Sequence, residues 1–272
     1  PRQDITVASA GIGLASLAWA ATSSLPEDAF QSWGWRLPFL ASAILLVVGV
    51  FLRRSGKETP QCEKAKGNGE TSKPPISELF PTANLPMLRC MGMRIFENSW
   101  FAILLVFVVS YAVSTAKIPK AEVLNAIAFG AAISMPMFLF VGWVGDRIGQ
   151  KIVYAVGAVL LAGWTWVMFD AVAGGRPLMP IVVALGFIWP TVFSPQTSLF
   201  AAQFDTRVRY SGLSVSTQIA GILGGGIAPF IAAVLAAKAG GSPHLIAVYL
   251  TALAGLGLVS VYFMRPTRSL DD

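Results

Sequence analysis

The chain has 272 residues, of which 55% are hydrophobic and only 12% charged, and its formal net charge is +6 at pH 7. An ordinary soluble domain has about 25% charged residues, and the mean hydropathy here is +0.65. This composition excludes an ordinary soluble domain and favours a protein whose outer surface faces lipid.

Eight long apolar runs follow one another along the chain, and about twenty helical residues cross a hydrocarbon core of roughly 30 Å. Trp33 and Trp35 precede the second run, where they suit a headgroup interface. Backbone polar groups in lipid must be paired within the segment, and strand-like alternation is missing, so the runs are predicted to be helices. The expected fold class is therefore an all-α membrane protein with eight transmembrane helices. The runs cover residues 5–25, 37–52, 98–116, 123–145, 152–169, 177–204, 210–237 and 245–264.

One connection is long. Residues 53–86 are charged, rich in Gly and Pro and poor in apolar residues, which is typical of a cytoplasmic loop between two helical groups. This loop leaves two spans in residues 1–52 and six in residues 87–272. Because the arrangement is lopsided and the sequence starts at Pro1 without an initiator Met, we expect a truncated chain.

The positive charges predict the orientation. If both termini lie in the cytoplasm, 14 of the 20 Lys and Arg residues fall on that side, five fall on the opposite side and Arg94 lies inside a span. This asymmetry fits the positive-inside rule. It predicts a multi-pass protein of the inner membrane, with both termini cytoplasmic and with no nucleic-acid partner.

The sequence contains no pattern of a soluble enzyme, such as HExxH or GxSxG. His244 is its single histidine, and the isolated Cys62 and Cys90 predict neither a disulfide nor a metal site. We therefore expect no enzymatic activity, no cofactor and no metal. The glycines of "GILGGGIAPF" (221–230) lack the Gly-Lys-Ser/Thr of a phosphate loop. Gly221, Gly225 and their neighbours instead predict close helix packing, with Pro229 permitting a bend.

A few polar residues interrupt the predicted spans. Arg94 and Glu97 are three residues apart, so they share a helix face and can pair. A charge at a helix centre costs roughly 2.5–3.5 kcal/mol on insertion scales, so such residues usually face a cavity or a partner. Alternatively, Arg94 snorkels to the cytoplasmic headgroups, or the two residues form a purely structural ion pair. Other residues that could line a polar path, or form interhelical hydrogen bonds, are Asn98, Asn125, Gln196 and Gln218.

The stretch "GWVGDRIGQK" (142–151) places an acid and two bases between two apolar runs. It resembles the cytoplasmic loop motif of the major facilitator superfamily, Gly-x-Leu-x-Asp-Arg-x-Gly-Arg-Lys, with Val144 in place of the Leu and Gln150 in place of one Arg. The matching positions are Gly142, Asp146, Arg147, Gly149 and Lys151.

Five further stretches resemble the metabolite:proton symporter branch of that family, which includes shikimate, α-ketoglutarate and proline/betaine carriers. They are "WGWRLPF" (33–39), "ETP" (58–60), "RIFEN" (94–98), "FDTRVRYSG" (204–212) and "GGGIAP" (224–229). The resemblance implies a twelve-helix fold of two halves, in which this chain supplies helices five to twelve. The family's second copy of the loop motif, in its first half, is missing here.

The resemblance also implies a function: proton-coupled transport of a small organic acid or zwitterion by alternating access, with a substrate site between the halves. Glu97 would respond to protons, and Arg94 would bind a substrate carboxylate or balance charge. Asp146, Arg147 and Lys151 would act as a cytoplasmic latch. Alternatives are a drug or sugar carrier of the same superfamily, or a membrane fragment that does not transport. A second charged cytoplasmic loop contains Asp205, Arg207 and Arg209.

The predicted orientation is testable with a single introduced cysteine. With Cys62 and Cys90 replaced, a Gly67→Cys variant is expected to react with an impermeant maleimide only after the inner membrane face is opened, because residues 53–86 are predicted to be cytoplasmic. Labelling in intact cells would reverse the orientation.

Overall fold

The structure is a computed structural model that describes residues 83–205 and 208–265, the helical backbone of residues 76–82, and a few positions between residues 29 and 43. The chain forms two compact units, Pro1–Ser72 and Lys73–Asp272. In the first unit the described part is a 3₁₀ turn, Gly34–Arg36, with helical residues at Leu37, Leu40 and Ala43. The first predicted span, residues 5–25, and most of the second lie outside the described residues.

The second unit contains six helices that are long and apolar enough to cross a membrane, all within the described ranges. The expectation of an all-α membrane protein is confirmed, and six of the eight predicted spans are observed. The helices are α1 (Ala83–Ser114), α2 (Lys120–Ile148), α3 (Gln150–Ala173), α4 (Leu178–Ala201), α5 (Arg209–Lys238) and α6 (His244–Tyr262).

The start of α1 differs from the sequence prediction. Helical backbone begins at Ile76 and continues through a kink at Ala83 into α1. Residues that were predicted to lie in the loop, or between the loop and the span, are therefore helical. The predicted span began at residue 98 because Arg94 and Glu97 break the uncharged run. The helix passes through both charges because their partners lie inside the protein, as described below.

Three of the helices contain a π-helical segment. These segments are Ile103–Val108 in α1, Ala184–Ile188 in α4 and Gly221–Gly226 in α5. A π-helical turn accommodates an extra residue, which rotates the following side chains about the helix axis, and such turns often occur at functional sites. In α4 the segment directly precedes Trp189, a residue of the polar cluster described below.

Helix α1 is at the centre of the second unit, where it packs against α4, α5 and α6. Its side chains Met93, Phe96 and Trp100 are fully buried. The indole of Trp100 donates a hydrogen bond to Thr165 Oγ1 on α3 at 3.0 Å. Likewise, the hydroxyl of Tyr154 on α3 donates to the Met93 carbonyl at 3.3 Å. These buried polar groups are therefore paired inside the protein, as an apolar environment requires.

Close contact between α1 and α5 depends on one glycine. A Cβ atom at Gly224 would lie 2.7 Å from the Ile95 carbonyl oxygen, whereas a Cβ at Gly225 would meet nothing within 4 Å. The sequence predicted close packing for Gly221, Gly225 and their neighbours. The structure places the tight contact at Gly224, because that residue faces α1.

We expect Gly224→Ala to destabilise the protein, because the new methyl group must push α1 and α5 apart. Overpacking of this kind typically costs about 1–3 kcal/mol. The matched control is Gly225→Ala, which adds the same methyl group into open space. Unfolding temperature and folded yield in detergent should fall for the first variant only; equal loss in both would exclude the contact at Gly224.

Candidate functional site: a buried charge cluster between α1 and α4

An ion pair lies on the buried face of α1. Arg94 Nη1 is 3.0 Å from Glu97 Oε2, and the two residues are one helical turn apart. The Glu97 side chain is 3% exposed, whereas that of Arg94 is 24% exposed. The carboxylate is thus fully buried, while the guanidinium can be reached from one side.

Helix α4 supplies the partners of this pair. Trp189, Phe193 and Gln196 share one face of the helix because they are spaced by four and three residues. The Trp189 indole Nε1 donates a hydrogen bond to Glu97 Oε1 at 3.1 Å, and Arg94 Nη1 donates to Gln196 Oε1 at 3.3 Å. These bonds join residues 92 and 102 positions apart in sequence, and they connect α1 directly to α4.

Aromatic rings surround the charged groups. Phe101 stacks on Trp189 with ring centroids 4.8 Å apart, and Phe138 from α2 meets the Trp189 ring edge-on at 5.4 Å. The Arg94 guanidinium carbon lies 5.2 Å from the centroid of the Phe193 ring. The rings lower the local dielectric constant, so the charges interact more strongly than they would in water, and the Phe193 face adds a cation–π contact.

The two contacts of Arg94 differ in geometry. The contact with Gln196 meets the alignment of a hydrogen bond, whereas Glu97 Oε2 is buried and accepts no aligned hydrogen bond from the residues described. Arg94 and Glu97 therefore attract each other by charge, and the aligned N–H of Arg94 is directed to α4.

The structure brings together three of the polar residues predicted from the sequence: Arg94, Glu97 and Gln196. Asn98 is half-buried on another face of α1, where it contacts the glycines of the π-helical segment of α5. Asn125 and Gln218 are exposed, and neither side chain forms a hydrogen bond within the described part of the chain.

Sequence reasoning missed the aromatic members of the cluster: Trp189, Phe193, Phe101 and Phe138. A spacing of four and three residues in "WPTVFSPQTS" (189–198) is the one local signal, and it places Trp189, Phe193 and Gln196 on one helix face. Nothing local indicates that this face meets Glu97.

The loop motif forms the turn between α2 and α3. Gly149 has φ of 99°, a left-handed conformation that favours glycine, and it separates the two helices by a single residue. Asp146 Oδ1 accepts a hydrogen bond from the Gln150 amide at 3.1 Å. The guanidinium carbon of Arg147 lies 4.2 Å from the centroid of the Trp143 ring. Gly142 lies within α2.

Lys151 has a partner that was not predicted. Its ammonium Nζ donates to the backbone carbonyls of Tyr262 and Met264, at 3.1 and 2.8 Å, and so caps the end of α6. Helix ends leave carbonyls without intrahelical partners and favour a positive charge. The motif lysine therefore fixes α6 to α3 within the second unit.

A second contact stabilises the residues that follow α6. Gln203, just beyond α4, donates to the Arg265 carbonyl at 3.1 Å and accepts from the Arg265 backbone N–H at 3.0 Å. In the second predicted charged loop, Asp205 is exposed, and Arg209 Nε donates to the Phe204 carbonyl at 3.3 Å. Arg207 lies outside the described residues.

At the opposite end of the bundle, His244 Nε2 lies 3.2 Å from Asp170 Oδ1, and both side chains are more than half exposed. This contact joins the end of α3 to the start of α6, so these two helices run antiparallel. Within residues 83–205 and 208–265, no group of three His, Cys, Asp or Glu side chains is placed to hold a metal ion.

Comparison with known proteins adds independent evidence. The family model described as Major Facilitator Superfamily matches residues 5–225. The inner membrane metabolite transport protein YhjE of Escherichia coli is 29% identical over 90% of this chain and 57% of its own length. The shikimate transporter of Escherichia coli is 26% identical over 94% of this chain and 59% of its own length. The glycine betaine/proline/ectoine/pipecolic acid transporter OusA of Dickeya dadantii is 28% identical over 89% of this chain and 50% of its own length.

The chain thus spans between half and three fifths of the length of these curated relatives. No solved structure gives a significant match to the chain.

Proposed function

The chain belongs to the Major Facilitator Superfamily, a family of transporters rather than enzymes, and we propose that it takes part in the proton-coupled transport of a small organic acid or zwitterion. The observation that carries this proposal is the buried ion pair of Arg94 and Glu97, which connects α1 to α4. A carboxylate buried in a membrane helix is costly, and such residues commonly serve transport or proton transfer.

The exposed part of Arg94 supports the proposed substrate class. A guanidinium that is 24% exposed in an otherwise apolar site is suited to bind a carboxylate by charge-assisted hydrogen bonds. The solutes in the names of the relatives, shikimate and glycine betaine among them, carry a carboxylate. An acid or a zwitterion would therefore be held against Arg94, with Asn98, Asn125, Gln196 and Gln218 proposed to line its path.

Proton coupling is assigned to Glu97. Two influences on this carboxyl group oppose each other, because burial disfavours its charged form and Arg94 favours it. A substrate carboxylate that binds Arg94 would reduce the stabilisation that Arg94 gives to the charged form of Glu97. Substrate binding and proton binding at Glu97 would thereby depend on each other, as symport requires.

The loop residues are proposed to control the cytoplasmic ends of the helices. Asp146 and Arg147 would form a latch there, supported by their place at the short turn between α2 and α3. Lys151, at the start of α3, would belong to the same latch through its bonds to the end of α6. The charged residues of the second loop, Asp205, Arg207 and Arg209, are proposed to act on the same side.

In this proposal, residues 1–52 are the last two helices of an N-terminal half, residues 53–86 connect the halves, and residues 87–272 form the C-terminal half. The carrier would lie in the inner membrane with both termini cytoplasmic, and transport would proceed by alternating access. The name of the Escherichia coli relative and the six apolar helices support an inner-membrane, multi-pass location.

We expect Glu97→Gln, in the complete gene product, to abolish uphill accumulation driven by a pH gradient while exchange of substrate across the membrane continues, because the amide cannot exchange a proton. Counterflow and pH-driven uptake in proteoliposomes, with radiolabelled shikimate and glycine betaine as probes, measure the two activities side by side.

The matched control is Glu122→Gln, which removes an exposed carboxylate at the start of α2. If Glu97→Gln still concentrates the probe, Glu97 is not the coupling group. If Glu97→Gln and Arg94→Gln each lower only the amount of folded protein, the ion pair is structural. Wild-type protein without counterflow of either probe would contradict the proposed substrate class.

A further inference from the structure

A single nitrogen atom of Arg94 is shared by acceptors on two helices. Arg94 Nη1 lies 3.0 Å from Glu97 Oε2 on α1 and 3.3 Å from Gln196 Oε1 on α4. The Gln196 contact alone has the alignment of a hydrogen bond. The guanidinium is thus already bonded to α4 while its charge is balanced on α1.

Each acceptor is held in position by a separate bond. The Gln196 amide Nε2 donates to the Val192 carbonyl at 3.1 Å, which fixes the amide so that its oxygen faces Arg94. The Trp189 indole donates to Glu97 Oε1, which fixes the orientation of the carboxylate. Glu97 Oε2 is left as a buried oxygen without an aligned donor among the residues described.

We infer that Gln196 is a positioning residue of the proposed transport reaction, one that holds the Arg94 guanidinium on α4 while Glu97 is neutral. This inference rests on the proposed function. A proton binds Glu97 Oε2 and forms an O–H bond, and the charge attraction between Oε2 and Arg94 Nη1 is lost. The hydrogen bonds from Arg94 to Gln196 and from Trp189 to Glu97 Oε1 remain. The net charge of the Arg94–Glu97 pair thus changes from zero to +1, and this positive charge lies on Arg94.

The surroundings leave Arg94 few other partners. From α3, Tyr154 faces this region, and its hydroxyl is bonded to the Met93 carbonyl. Helix α2 contributes the Phe138 ring, and the residues of α5 and α6 include no Asp or Glu, while their Lys, Arg and His residues lie at the helix ends. Among the described residues, Gln196 and the Phe193 ring are therefore what contacts the buried side of the guanidinium once Glu97 is neutral.

A double-mutant cycle tests whether the two acceptors substitute for each other. The variants, made in the complete gene product, are Glu97→Met, Gln196→Met and the two combined. Each single change leaves Arg94 one of its two acceptors among the described side chains, and we expect it to lower the unfolding temperature by about 2–4 °C. The combined change removes both, and we expect a loss well above the sum of the single losses.

Adding Arg94→Met to the double variant should restore most of that loss, because the unpaired cation is then gone. The matched control combines Glu97→Met with Gln218→Met, which changes an exposed glutamine on α5, and there the losses should simply add. Additive losses in the Glu97 and Gln196 pair, or no recovery on removing Arg94, would overturn the inference.

The pH dependence of uptake separates positioning from mere support of the fold. Wild-type uptake of radiolabelled shikimate or glycine betaine should rise as the outside is acidified, and in Gln196→Met this rise should be lost. A Gln196→Met variant with reduced uptake but an unchanged pH profile would overturn the inference alone. If the wild-type protein shows neither uptake nor counterflow, the proposed function and the proton step are both overturned. In that case the double-mutant cycle still decides whether Gln196 holds Arg94.

Discussion

A charge inside a membrane helix must find its partner within the protein, and the arrangement of α1 and α4 follows from this requirement. On insertion scales an Arg or Asp at a helix centre costs roughly 2.5–3.5 kcal/mol. Arg94 and Glu97 offset part of this cost by pairing with each other at 3.0 Å. Helix α4 adds one aligned hydrogen bond to each member of the pair, from Trp189 to Glu97 and from Arg94 to Gln196. The charge pair thereby fixes which face of α4 meets α1.

The helices also pack closely around the Arg94–Glu97 pair. The π-helical segment Ala184–Ile188 directly precedes Trp189, and a second such segment, Gly221–Gly226, lies against α1 where Gly224 approaches the Ile95 carbonyl. Both segments occur beside the polar part of α1. Away from this region, Lys151 and Gln203 form hydrogen bonds with backbone carbonyls at the end of α6. These bonds stabilise the predicted cytoplasmic end of the bundle independently of the ion pair.

Hydropathy predicted the five later spans closely, because a lipid-facing helix cannot carry unpaired charges over its length. The run predicted at residues 123–145 corresponds to Lys120–Ile148, for example. The same rule failed at α1, where the charges of Arg94 and Glu97 are paired in three dimensions and the helix continues through them.

The polar members of the site, Arg94, Glu97 and Gln196, were found from the sequence, but Trp189 and the other aromatic members were not. A charge in an apolar run is visible in one dimension, whereas the bond between Trp189 and Glu97 joins residues 92 positions apart. The loop motif singled out Lys151 but did not indicate its bond to the end of α6, because the carbonyls at a helix end belong to the backbone and are not visible in the pattern of side chains.

The central claim is that Glu97 exchanges a proton inside the cluster, and infrared difference spectroscopy of the complete gene product between neutral and acidic pH tests it most directly. We expect acidification to produce a protonated carboxyl band that is absent in Glu97→Gln and shifted in Trp189→Phe, because the indole donates to Glu97 Oε1. A band that persists unchanged in Glu97→Gln would show that the proton binds elsewhere.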